Sequence, residues 1–166
     1  MMEGEKGFFS VLAWFQHTAL AQEIRGGTWS YAALEVVHLI GVACLVGSIL
    51  AFDLRLMGLS RGLEARGMMR HLLPLAAIGF ALAAASGSLM FMADAVALAA
   101  NRAFQVKLVL ILLAGLNALA CHRGPLSGMG AWNRHVAPPW AARAMAVFSL
   151  VFWLAVVACG RLIAYV

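Results

Sequence analysis

The chain has 166 residues, of which 64% are hydrophobic and 11% charged, and its mean hydropathy is +0.90. Soluble domains carry about 25% charged residues, and a chain this short has too little interior to hide so much apolar side chain, so a water-soluble globule is excluded and lipid is the expected solvent. The formal net charge of +5 would point to nucleic acid in a soluble protein. Here the basic residues stand beside apolar runs, with no RNA-binding aromatic motif and no zinc-finger spacing, so no nucleic-acid partner is expected.

The start, MMEGEKG, is acidic and lacks the basic leader region of a signal peptide. The first long apolar run is therefore expected to be a retained helix. Before it comes FFSVLAWFQHTALAQEIR, residues 8–25, which is apolar but short and broken by polar residues. Phe8, Leu12 and Phe15 recur at helical spacing, which predicts an interfacial helix lying on the bilayer over residues 8–22. Residues 1–30 are read as this N-terminal segment and 31–166 as the membrane domain.

Four runs then reach the roughly 20 residues that a spanning helix needs: 31–53, 71–93, 103–121 and 143–165. Pro74 is placed in the first turn of its helix, where a missing N–H does little harm. The expected fold is all-α, an integral membrane four-helix bundle with an N-terminal interfacial helix.

Loop charges set the orientation. Arg55, Arg61, Arg66 and Arg70 fall at 54–70, and Arg123, Arg134 and Arg143 at 122–143. The opposite side has Lys6, Arg25, Arg102 and Arg161, diluted by Glu3, Glu5, Glu23 and Asp94. The positive-inside rule places the two arginine-rich loops in the cytoplasm. A bacterial inner-membrane location follows, with both termini periplasmic. Trp29, Trp132 and Trp140 near helix ends read as interfacial anchors.

Against this apolar background the polar residues stand out. Glu35 and His38 in LEVVHLI share one helix face, and an ionisable residue within a span usually faces the bundle interior and marks a site. His38 reads either as a ligand to a metal or haem iron, with Glu35 handling protons beside it, or as half of a hydrogen bond that ties helices. Gly41, Cys44 and Gly47 follow at roughly one-turn spacing. They admit a flat macrocycle or allow close helix packing. Lys107 reads as a snorkelling cation, or as a partner for Glu35, a haem propionate or an anionic substrate. His71, opening the second span, and His122, following the third, form a second candidate pair for one haem or metal. His17 and His135 look peripheral.

Asp53 and Arg55 are expected to form a structural ion-pair network at the end of the first span. Asn117 is expected to hydrogen-bond across helices, and the small residues of SGSLMF to let the second span approach a neighbour or a ring edge. Met57, Met68, Met69, Met90 and Met92 form no tight copper-binding constellation, although thioethers suit copper(I). Cys44, Cys121 and Cys159 form no CxxC or CxxCH motif, which argues against covalent haem attachment. Hydrolase, P-loop, dinucleotide and zinc-protease motifs are missing as well.

LEVVHLIGVACLVGSILAFDLRLMG resembles the first helix of a superfamily. It joins the copper-resistance D-type membrane proteins to the four-helix bacterial protoporphyrinogen IX oxidase that binds haem b. The resemblance implies that His38 is the haem-ligating histidine, that DLRL at 53–56 corresponds to a leucine–proline–arginine–leucine close, and that Lys107 in FQVKLVLILLAGLNAL is the functional lysine of the third span. The wider pattern WSYAALEVVH, DLRLMG, SGSLMF, NRAFQVKL and AGLNAL is similar to a family of uncharacterised bacterial membrane proteins, over about residues 10–123. Three departures count against the oxidase reaction more than against haem. The close beginning at Asp53 lacks that pattern's proline, Asn117 lies near where related helices carry a histidine, and Glu35 is additional.

The expected function is a haem b-binding membrane protein that moves electrons, linked to a porphyrinogen or a quinone. Its cofactor-binding residues are His38, Glu35, Lys107, His71 and His122, with Arg102 and Lys107 to neutralise propionates. The alternatives are a copper or other metal-ion module, with His38 and His122 as metal ligands, and a non-catalytic scaffold subunit. The expected partners are the lipid bilayer, a quinone or porphyrin substrate, and a second copy of the chain.

Overall fold

A computed structural model describes residues 2–165. Glu3, Glu5 and Lys6, counted above in the charge balance, have side chains outside the described part. Among the described residues there are seven α-helices, one short 3-10 turn and no strand. Four helices are long and apolar enough to cross a membrane: α3 (Ser30–Leu56), α4 (Ala65–Ala93), α6 (Arg102–Arg123) and α7 (Trp140–Leu162). Their outward faces carry Val36, Ile40, Leu112, Phe148 and Leu154, all exposed, as lipid-facing positions require. The chain is an all-α multi-pass membrane protein.

The N-terminal segment is two helices rather than one, α1 (Met2–Gln16) and α2 (Ala19–Gly26). The break falls at Thr18, which has extended backbone angles and accepts from the Ala21 N–H with its side chain. That is the N-cap geometry that starts a new helix. A further short helix, α5 (Ala95–Ala100), lies between α4 and α6. Helix α1 packs on α5 and α4, and α2 packs on α4 and α3, so these three helices cap one end of the bundle.

Helix α4 starts at Ala65 rather than at 71, and Pro74 therefore sits inside the helix. A membrane helix tolerates this because neighbours re-satisfy the freed backbone groups. His71 lies in the second turn of α4 and His122 in the last turn of α6, so neither flanks its helix. The loop between α3 and α4 shrinks to 57–64.

The long helices are arranged in the order α4–α3–α7–α6, and α4 and α6 make little or no direct contact. The α3–α4 contact is the tightest. A Cβ on Gly79 would lie 2.6 Å from the Leu45 backbone nitrogen, and one on Gly41 would lie 2.7 Å from the Ala83 nitrogen. Close packing therefore uses Gly41, with Cys44 beside Gly79, and no macrocycle fits between them. Gly47 meets nothing within 4 Å. Asn117 donates to the Met145 carbonyl at 3.0 Å and joins α6 to α7, as expected of a buried amide.

At the end opposite the cap, the loops 57–64 and 124–139 interlock. Asn133 receives the N–H groups of Ala65 and Arg66 on its backbone and side-chain oxygens and donates to Glu64. The His135 N–H and the Arg134 guanidinium bond the carbonyls of Arg61 and Gly62. Arg55, 1% exposed, donates to the carbonyls of Leu63 at 2.9 Å and Asn133 at 3.0 Å.

Two expectations fail here. Arg55 does not pair with Asp53; the one ion pair among the described residues is Arg25–Asp94. Two residues apart on a helix, the two side chains point in different directions. Trp132 is also no interfacial anchor. The 3-10 turn Met129–Ala131 folds the loop back, and Trp132 and Met129 enter the core with Phe52, Leu56 and Cys121. Trp29 and Trp140, 80% and 81% exposed, remain free to anchor.

Candidate functional site

Because α4 and α6 do not close against each other, the bundle keeps a groove between them. It is divided into two cavities that share Leu45, Phe80, Ile111 and Trp153. The larger, about 1420 Å³, lies toward the capped end. Glu35, His38, Lys107, Met90, Met92 and Arg161 are among its lining residues. The sequence offered Lys107 as a partner for Glu35 beside His38, and the fold brings all three to one cavity.

His38 is held by α4. Its Nδ1 lies 3.2 Å from Ser86 Oγ, and Ser86 spends its own hydroxyl proton on the Leu82 carbonyl at 2.6 Å. The Ala83 backbone is a second hydrogen-bonding neighbour of the ring. With the hydroxyl proton on the Leu82 carbonyl, Ser86 is an acceptor for the imidazole, and in the tautomer with the proton on Nδ1 the Nε2 lone pair is available. This is how a ligating histidine is usually oriented, one nitrogen fixed by a partner and the other free for an electrophile. Gly87 makes room for the ring. A Cβ there would lie 3.0 Å from His38 Cε1.

Lys107 does not snorkel away from the bundle. Its Nζ reaches α7, 3.6 Å from where a Gly160 Cβ would sit, and Lys107 and Glu35 are both within electrostatic reach of His38. Glu35 is exposed at the cavity wall beside Tyr31, with which it interacts electrostatically, and it makes no ion pair with Lys107. The cap sits above. Asp94, between α4 and α5, accepts from Gln16 at 3.2 Å and pairs with Arg25 at 3.9 Å, while Arg25 also donates to the Ala93 carbonyl. Phe91 and Phe104 stack with centroids 5.3 Å apart and close the α4–α6 gap at this depth.

The smaller cavity, about 350 Å³, lies toward the interlocked loops. His122 lines its rim and is exposed; His71 is exposed and lines neither cavity. At about 1.5 Å rise per residue, the stretch of α6 from Lys107, beside His38, to His122 spans on the order of 20–25 Å along the bundle, so the two histidines belong to different sites. No group of three or more His, Cys, Asp or Glu residues placed to hold a metal ion is found among the described residues.

Sequence reasoning missed Ser86 as the partner of His38, and Met90, Met92 and Arg161 as wall residues. Ser86 had a signal. His38 lies eight residues after the start of α3, and Ser86 seven before the end of the antiparallel α4, so the two match in depth.

The model of a family of unknown function, DUF6644, matches residues 14–166. No curated protein and no solved structure matches the chain.

Proposed function

We propose, from the premise that the chain belongs to the DUF6644 family, that it is a haem b-binding protein of the bacterial inner membrane that moves electrons, with a porphyrinogen or a quinone as redox partner. One observation carries this reading: Ser86 holds His38 through Nδ1 on the wall of a cavity of about 1420 Å³. That volume exceeds the roughly 300–1,000 Å³ of ordinary small-ligand sites.

The residues present fit the group. Nε2 of His38 would ligate iron, Met90 and Met92 offer thioethers on the α4 wall, and Lys107 and Arg161 are cations suited to propionate carboxylates. Bound haem supplies one-electron chemistry, while the protein sets ligation, exposure and potential. Ser86 holds the imidazole, the Phe91–Phe104 stack excludes water, and Glu35 is placed to exchange a proton with solvent. By the positive-inside rule the interlocked loops are cytoplasmic, which puts the His38 cavity near the periplasmic surface and both termini in the periplasm.

The test is a visible spectrum of gently extracted protein, oxidised and dithionite-reduced, with metal analysis of the same sample. The expected result is the α band of a low-spin b-type haem, lost in His38→Ala and kept in His71→Ala and His122→Ala. A colourless sample after expression with ample haem, or a band unchanged in His38→Ala, overturns the reading. Stoichiometric copper in a colourless sample would replace it with the metal-ion module.

A further inference from the structure

The smaller cavity has an apolar wall and one conspicuous polar group. Asp53 lines it, is 5% exposed, and has a buried Oδ2 with no hydrogen-bond partner. The Ser149 hydroxyl is the polar neighbour of that carboxyl group, and Ser48, also buried, lines the same wall. Asn117 uses its amide N–H on Met145, which leaves its carbonyl oxygen over. Arg55, the nearest cation in sequence, gives Nε and Nη2 to the loop carbonyls, and its Nη1, also buried without a partner, makes no bond to Asp53. A buried carboxyl oxygen without a donor is costly, and although Ser149 hydrogen-bonds the carboxyl group, Oδ2 is left without a partner.

We propose that this cavity binds the hydroxylated aromatic head group of a membrane quinol, with a ring hydroxyl donating to Asp53 Oδ2. Three observations select this occupant. The volume of about 350 Å³ lies at the low end of ligand cavities and suits a single ring rather than a porphyrin. The walls are mostly apolar, with Asp53, Ser48, Ser149 and Asn117 as hydrogen-bonding groups for the ring hydroxyls, Cys121 beside them and His122 at the rim. The sparse α4–α6 packing, whose aromatic stack lies at the other end of the groove, leaves a side opening through which an isoprenoid tail reaches the lipid. An acyl chain would fill the volume and leave Oδ2 without a donor. The site goes beyond the haem reading and does not depend on it, because binding here involves neither His38 nor iron.

The experiment measures the thermal unfolding midpoint of the full chain in phosphatidylcholine nanodiscs. One arm adds 2-decyl-1,4-hydroquinone under argon. The other adds its dimethyl ether, which has the same body and tail but no hydroxyl proton. A ligand that binds only the folded state raises the midpoint with concentration. The expected result is a rise with the hydroquinone, little or none with the ether, and a hydroquinone affinity on the order of tenfold or more weaker in Asp53→Leu. Ala77→Phe, which leaves Asp53 in place and fills the cavity from α4, is expected to abolish the rise, so the test survives if Asp53→Leu fails to fold. Equal rises with hydroquinone and ether mean plain apolar filling and overturn the proposal. So does no rise with the hydroquinone, or a rise that survives Ala77→Phe. The haem spectrum is read on the same samples, and its presence or absence does not alter these outcomes.

Discussion

At the interlocked end, two loops distant in sequence exchange hydrogen bonds through Asn133, Arg134 and Arg55, and a compact core of Phe52, Leu56, Met129 and Trp132 lies beneath them. At the capped end the corresponding contacts are an exposed ion pair, two side-chain hydrogen bonds to Asp94 and Ala93, and one aromatic stack, above a cavity about four times larger. The same four helices run through both ends. The difference lies in what joins them: the loops pin one end, while the other is covered by short helices. Regions with fewer buried contacts open at lower free energy, so the end that holds His38 is also the one best able to admit a large ligand.

Substitutions can break or sharpen this contrast, and the largest effect should come from a position that serves both ends. Gly79→Leu drives a side chain into the backbone of α3. A loss on the order of 3 kcal/mol or more is expected, seen as aggregation on detergent extraction, with both cavities lost together. Next is Arg55→Met, which removes two charge-assisted bonds to loop carbonyls at about 1.5–3 kcal/mol each. The loops 57–64 and 124–139 should become sensitive to protease while any His38-dependent spectrum persists. A spectrum lost with the loops would show that the two ends are coupled.

Ser86→Ala is smaller in stability, about 0.6 kcal/mol for an interhelical bond, but it frees the imidazole. Affinity for the proposed haem should drop roughly 10–100-fold, measured by haem retention during dilution, with the interlocked loops unaffected. Arg25→Ala is the smallest. Its ion pair is exposed, so about 0–1 kcal/mol is at stake. An unchanged unfolding midpoint with faster ligand exchange from the His38 cavity is the expected outcome.

The four spans could be read from the sequence because hydropathy over some twenty residues reports solvent directly. Their ends could not. ARGMMR at 65–70 looks like loop by charge, yet it is helical because Asn133, nearly seventy residues away, receives its first N–H groups. Trp132 was misplaced for the same reason, since its burial depends on a turn that folds back on a distant loop. Glu35, His38 and Lys107 could be assigned to one half by depth alone. The Asp53 cavity could not, because it depends on which helices stay apart, and neighbour order in a bundle is not written in hydropathy.

Arg55 also has a consequence for how the protein is made. Its acceptors are Leu63, eight residues on, and the Asn133 carbonyl, 78 residues on. When the α3–α4 hairpin first leaves the ribosome, the guanidinium has only the nearer one. Until residue 133 emerges, the nascent hairpin carries a half-satisfied cation at its turn, kept at the water boundary and out of the hydrocarbon. The bond from Arg55 to Asn133 therefore has to wait for the second loop to be made, and the first hairpin alone cannot form it.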